Sequence, residues 1–382
     1  MKITAIETIH LARGITVHAG PVQWLWVRIH TDEGLIGLGE TYPDPLTEKA
    51  VVLGRLAPVL LGRDPSEIDR LWADMFEAIA YSGWAGAELR AISAVDIALW
   101  DLAGKSAGKP VYQLLGGASR SAIRTYNTCY DNYSFLSEPV ELAESLFASG
   151  IQAMKIWPYD PVAKVTRGQY ITAEQMRQAR EPLRRIKERF GDRMEVAMEF
   201  HGYWNLPMAE RIARDLEELS PMWLEEMLPQ DNLAAYRQLS EATRVPLCLS
   251  ERLMTRWQYR DLLEQRAARF IMPDICWCGG ISEAKKIAAM AEAYYLPVCP
   301  HNCGGPILHY ASAHLAANVP NLFILESVRK HYLEEYVGIV PDTLPAVGGE
   351  IPLPGGVGLG VELSPEVFTR GDVQVDRVSL SS

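Results

Sequence analysis

The chain has 382 residues, 48% of them hydrophobic and 22% charged, which suits a soluble protein with a barrel-sized domain and a smaller one. Its formal net charge of −11 argues against a nucleic-acid partner, because phosphate binding relies on clustered Lys and Arg. No run approaches 18 apolar residues, and the opening MKITAIETIHLARG lacks the apolar stretch of a signal peptide, so we expect a cytoplasmic protein with no membrane segment.

Residues 1 to 40 predict antiparallel strands, KITAIETIHL and WLWVRIHTDEGLIGLGE, the second folded into a hairpin at Asp32, Glu33 and Gly34. Helical periodicity follows over Thr47 to Leu61, Ser66 to Tyr81 and Ala85 to Ser106, completing an α+β unit over 1–120. From Ile123, apolar runs end near Tyr126, Ile156, Met198, Leu224, Ser250, Met272, Pro300 and Leu325. Amphipathic segments such as Ala173 to Phe190, Met208 to Leu219, Ser282 to Tyr295 and Ile307 to Asn318 lie between them. Repeated βα units of this kind point to a barrel over 121–330. The Pro- and Gly-rich tail, 331–382, is expected to pack back on the first domain. Its GGVGLG run opens no helix after a strand and so predicts no dinucleotide site. Cys129, Cys248, Cys276, Cys278, Cys299 and Cys303 form no CxxC pair and read as reduced, buried thiols.

Glu199, Glu225 and Glu251 end three of the apolar runs at equal steps of 26 residues (225−199 and 251−225), one strand plus one helix each. Consecutive parallel strands in βαβ units end on one rim, so these carboxylates converge, and like charges brought together need a cation. Oxygen-only ligands suit a hard divalent ion, Mg²⁺. The plainer alternative is a set of strand-end salt bridges. The other predicted strand ends are also ionisable: Lys155, His201, Glu226, Asp274, His301 and Glu326.

In order and spacing, VRIHTDEGLIGLGE, AISAVDIALWDLAGK, WLEEM, SERL, MPDICWCGGISEA, CPHNCGGP and ILES resemble the enolase superfamily and, within it, the mandelate racemase-like subgroup. The resemblance implies an α/β fold: a modified (β/α)₇β TIM-type barrel under an N-terminal α+β capping domain completed by the C-terminal tail. It implies one Mg²⁺ per subunit on Glu199, Glu225 and Glu251, abstraction of a proton α to a carboxylate, and a homo-oligomer, dimer or octamer. It makes His301 the general base, with Asp274, 27 residues earlier (301−274), fixing its tautomer. Glu326 would hydrogen-bond a substrate carboxylate oxygen, and Lys155 would contact that carboxylate.

Two departures bear on the reaction. Racemases of the subgroup carry Lys-x-Lys on the second strand, whereas MKIWPYD keeps Lys155 and puts Trp157, which takes no proton, in the second position. Glu199-x-His201 resembles the Asp-x-His of acid-sugar dehydratases such as galactonate dehydratase, in which that His protonates the departing hydroxyl. Period-two alternation along a strand would turn Glu199 and His201 to one side.

The expected activity is therefore Mg²⁺-dependent dehydration of an aldonate or aldarate, a small-molecule carboxylate, to a 2-keto-3-deoxy acid. The alternatives are an epimerase, racemase or cycloisomerase using Lys155 as second base, and a non-catalytic metal- or ligand-binding relative. Trp157, Trp24, His18, Tyr42 and Tyr130 are candidates for substrate contact, as are Trp26, Tyr126, Asn127 and Trp204, with core packing as the competing role. His309, His314 and His331 read as structural.

Overall fold

The computed structural model describes residues 1–17 and 20–380, with side chains outside 13–22. Strands β1 (Ile3–Val17), β2 (Gly20–Thr31) and β3 (Ile36–Thr41) form an antiparallel sheet, with the hairpin turn at 32–34. A final strand, Val373–Ser379, adds to its outer edge along β1, so the tail closes the sheet that the N-terminus begins. Helix Ala87–Ala107 lies against β3. Gly37 and Gly39 make that approach possible, since a Cβ at either would collide with the backbone carbonyls of Ala98 or Ala94.

Apart from a short tail strand, Glu350–Pro352, that pairs antiparallel with its first strand, the larger sheet is parallel and curls round as a barrel. Its strands are β4 (Ala122–Thr128), β5 (Ala153–Ile156), β6 (Glu195–Glu199), β7 (Leu224–Glu225), β8 (Leu247–Leu249), β9 (Phe270–Ile271) and β10 (Leu325–Ser327). They pair in sequence, and β10 returns to β4. The seventh barrel position, expected to hold a strand ending near Pro300, contains only bridges from Val298 to Ile271 and Leu322 and from His301 to Asp274. Pro297 and Pro300 account for this, since neither can donate to a ladder. One side chain from each of the eight positions fills the barrel's interior: Tyr126, Ala153, Ala197, Trp223, Cys248, Met272, Cys299 and Ile324.

Helix Ala173–Phe190 starts at a capping box of Thr172 and Gln175 and has the expected bounds. Helix Pro306–Asn318 is not amphipathic as expected: it is buried on every side. The cap covers its start, where Glu40 of β3 accepts from Gly305 and Ile307 N–H, and the tail covers its flank, where His309 and His314 meet the carbonyls of Leu344 and Leu359. His309, His314 and His331 are all buried. All six cysteines are free, five of them buried. No helix among the described residues is long and apolar enough to cross a membrane.

Candidate active site

Parallel pairing sets Glu199 of β6 beside Glu225 of β7, and the loop leaving β8 brings Glu251 to the same rim. One carboxylate oxygen from each of the three lies within 4.8 Å of the others, and all three residues are buried. Trp223 donates its indole N–H to Glu225 Oε2 at 2.7 Å, fixing that carboxylate from behind. Burial first, and then the charge of Glu199, push the Glu225 carboxyl well above its ordinary range. Burial would raise Glu199 as well, but His201, Glu225 and Lys155 outweigh it and hold Glu199 low. An all-oxygen, negatively charged and prearranged donor set fits a hard divalent cation.

Lys155, on β5, reaches into the same group. Its ammonium is 2.5 Å from Glu225 Oε1, 2.8 Å from Glu326 Oε1 and 3.4 Å from Glu199 Oε2. Burial alone would lower its pKa, yet the carboxylates of Glu225 and Glu326 drive it well above the usual lysine range, so it stays charged. Glu326 lies behind Lys155 and is fully buried. Lys155 and the Thr128 hydroxyl occupy its Oε1, and the Asn302 N–H occupies Oε2 at 2.8 Å. Burial works against ionisation here too, but the charges of Lys155 and His301 hold the carboxyl at about 2. Glu326, expected to meet a substrate carboxylate, stands behind the cavity wall and not on it, with protein donors on both of its oxygens.

The bridge between Asp274 and His301 puts the imidazole at the rim with Nδ1 2.7 Å from Asp274 Oδ2. Its Nε2 faces the carboxylates, 3.1 Å from Glu251 Oε2 and 3.7 Å from Glu326 Oε2. Asp274 is itself held: Cys276 N–H donates to Oδ1 at 2.7 Å, and the Tyr42 hydroxyl donates to Oδ2 at 2.5 Å. Tyr42 lines the cavity as expected of a substrate contact, but its hydroxyl is spent on this aspartate.

His201 also faces the cavity, though not by strand alternation. Strand β6 ends at Glu199, and His201 stands in a turn with φ of 50°. Glu199 Oε1 accepts the backbone N–H of Phe200 and His201, at 3.1 and 2.7 Å, which ties the turn to the carboxylate. The imidazole Nδ1 is 2.8 Å from Asp160 Oδ2, on the first turn of a short helix, Asp160–Thr166. Burial would lower the His201 pKa, but Glu199 and Asp160 raise it.

These groups surround one cavity of about 260 Å³, with Tyr42, Tyr130, Lys155, Trp157, Glu199, His201, Glu251 and His301 on its walls. Trp157 packs its ring 4.9 Å from Tyr130 and 6.0 Å from His201, at the place where a second lysine would stand. Trp24 is not on this wall: it is buried in the cap, 6.0 Å from the Trp26 ring and 5.9 Å from Tyr336. Period-two alternation of β2 puts it on the same face as Trp26, packed against the C-terminal segment. His18 lies outside the described residues. Trp26 and Trp204 are buried too, and Tyr126 belongs to the barrel interior. Asn127 accepts from Arg329 N–H.

Arg90, Tyr203, Arg252, Trp277, Cys303 and Thr128 also line the cavity, and none was singled out by the sequence. Arg252 follows Glu251 directly, and Trp277 sits inside the DICWCGG stretch, so adjacency to recognised motifs is the signal that would have found them. Arg90, on a cap helix, directly precedes the AISAVDIALWDLAGK stretch, and Asp160 ends MKIWPYD, so the same adjacency marks both.

Residues 3–116 match the mandelate racemase/muconate lactonizing enzyme N-terminal domain, and residues 138–367 the enolase C-terminal domain-like family. The D-galactonate dehydratase of Xanthomonas euvesicatoria pv. vesicatoria is 32% identical over 377 residues, covering 97% of this chain and 94% of that protein. The D-galactonate dehydratase of Pectobacterium atrosepticum is 33% identical, covering 96% and 93%. A crystal structure of an enolase of the mandelate racemase subgroup from Agrobacterium tumefaciens superposes with a TM-score of 0.91 at 44% identity, covering 99% of each chain.

Proposed function

From the premise that this chain belongs to the enolase superfamily, in its mandelate racemase-like subgroup, we propose that it is a Mg²⁺-dependent hydro-lyase that dehydrates an acid sugar to a 2-keto-3-deoxy acid. The observation that carries this reading is the His301 imidazole, clamped by Asp274 at 2.7 Å on one nitrogen and aimed by the other at the Glu199, Glu225 and Glu251 cluster. A bound divalent ion supplies Lewis-acid stabilisation of the negative charge that collects on a carboxylate when its α-proton leaves.

The chain's own groups do the rest. Asp274 accepts from Nδ1–H, which makes Nε2 the nitrogen that takes the α-proton, and then supports the imidazolium that results. Lys155, held charged, offers a donor to the substrate carboxylate. His201, on the cavity wall with Nδ1 on Asp160 at 2.8 Å, delivers a proton to the β-hydroxyl as the C–O bond breaks. The enol so formed tautomerises to the keto acid. The epimerase reading needs Lys155 as a second base, but its ammonium is turned onto Glu225 and Glu326 at 2.5 and 2.8 Å, and Trp157 stands where racemases of the subgroup carry a second lysine. D-galactonate dehydratases covering nearly the whole chain support elimination as well.

A screen of aldonic and aldaric acids with Mg²⁺, read by α-keto acid formation, tests the proposal. A keto product supports dehydration. Recovered substrate of inverted configuration, without keto acid, replaces it with epimerisation.

A further inference from the structure

The cavity just described shares a wall with a second one of about 360 Å³, and the side chains common to both are Arg90 and Arg252. Lys155, with 3% of its side chain exposed, marks the buried end; the two arginines, 23% and 30% exposed, mark the end that opens outward.

Each guanidinium is held in place, and in neither ion pair does a carboxylate come within hydrogen-bond length. Arg90 lies over the Trp277 ring at 4.6 Å, and that ring is anchored by its N–H on the Tyr42 carbonyl and packs 5.4 Å from His301. The carboxylate paired with Arg90 is Glu48, at 3.8 Å, beyond hydrogen-bond length, and the buried Nε of Arg90 has no hydrogen-bond partner among the described residues. Burial pushes the Glu48 carboxyl up to about 7, which weakens it further as a counter-charge. Arg252 is 3.6 Å from Glu251, again outside hydrogen-bond length, with the charges of Glu226 and Glu199 further off, and its Nη1 runs beside Gly202, next to the His201 turn. One arginine thus flanks the His301 side of the cavity and the other the His201 side.

A monoacid sugar presents a neutral hydroxymethyl group at its far end. Closing such a terminus over two guanidinium groups would strip them of water and give no charge in return. A carboxylate there accepts paired N–H donors in the planar geometry that arginine provides. We propose that Arg90 and Arg252 receive a second carboxylate at the distal end of the substrate, so that the enzyme acts on diacid sugars in preference to monoacids. This rests on the reading above for the near end of the substrate.

The test is calorimetric binding with Mg²⁺ in the full chain carrying His301→Asn, which holds substrate without turning it over. Aldonates, aldarates and 6-phosphoaldonates of matched stereochemistry are compared. The expected result is aldarate binding at least tenfold tighter than its aldonate, with that ratio falling several-fold in Arg90→Met and again in Arg252→Met. Arg90→Lys, which keeps charge and loses the fork, gives an intermediate ratio and guards against a folding defect in the Met variant. Equal binding of the pair, a ratio unmoved by both Met variants, or a preference for the 6-phosphoaldonate overturns the assignment. Failure of the reaction reading shows separately, as absence of keto acid from the wild-type enzyme despite binding.

Discussion

Lys155 holds its ammonium 2.5 Å from Glu225 Oε1, inside the same carboxylate group that is shaped for a divalent ion. The lysine and the ion therefore offset the same buried charge. Removing one member of a buried ion pair costs roughly 3–5 kcal/mol, because the partner charge is left uncompensated.

Lys155→Met is accordingly expected to lower the melting temperature strongly in chelator, and Mg²⁺ should raise the variant's melting temperature by more than it raises the wild type's. Thermal denaturation with and without Mg²⁺ reads both. Equal metal shifts in the two proteins would mean that Lys155 and the ion do not share these carboxylates.

The two histidines should separate the two bond-breaking events. Loss of a positioned acid or base typically slows a step by about 10²–10⁴-fold. His301→Asn should abolish exchange of the substrate α-proton with deuterated water. His201→Asn should preserve that exchange and suppress keto acid formation. Proton NMR of substrate and product follows both, and loss of exchange in His201→Asn would contradict the assigned roles.

Tyr42 comes from the cap, yet its hydroxyl bonds Asp274 of the barrel at 2.5 Å. A hydrogen bond to a charged group contributes about 1.5–3 kcal/mol, of which 1.4 kcal/mol is tenfold in rate. Tyr42→Phe should reduce kcat by about tenfold or more and leave KM nearly unchanged. A rise in KM alone would make Tyr42 a substrate contact instead.

The barrel repeat and the glutamate trio were legible in the sequence because both follow from periodicity. A strand and helix of constant combined length return the chain to the same rim, so equal steps of 26 residues bring carboxylates together. Asp274 and His301 were legible through the neighbouring-strand resemblance. What lay outside that logic depended on turns and on contacts between distant segments. The left-handed turn at His201, the Pro-interrupted seventh position and the approach of cap helix Ala87–Ala107 with Arg90 have no periodic signature. Trp24 shows the converse: an aromatic in a cap strand looks like a specificity residue until its face of the sheet is known.

His309 and His314 supply a pH dependence of stability remote from the carboxylate trio. In His314, Nδ1 accepts the Tyr112 N–H at 3.3 Å and Nε2–H donates to the Leu359 carbonyl at 2.9 Å, a pattern that only the neutral ring satisfies. Burial lowers both pKa values to about 4, against an ordinary 6.5. The unfolded chain therefore binds more protons between those values. Stability from these rings is complete above pH 6.5 and declines as pH falls toward 4, by about 1.4 kcal/mol per pH unit for each. Urea unfolding at pH 7 and pH 5 should show a smaller loss in His314→Gln than in the wild type, by about 1–2 kcal/mol. An unchanged loss would mean that His314 does not stay neutral in the fold.

The most direct measurement of the central claim is anomalous scattering from crystals soaked in Mn²⁺ as a stand-in for Mg²⁺. The account predicts one strong peak touching an oxygen of each of Glu199, Glu225 and Glu251. A peak elsewhere, or none at a Mn²⁺ concentration that sustains turnover, would contradict it.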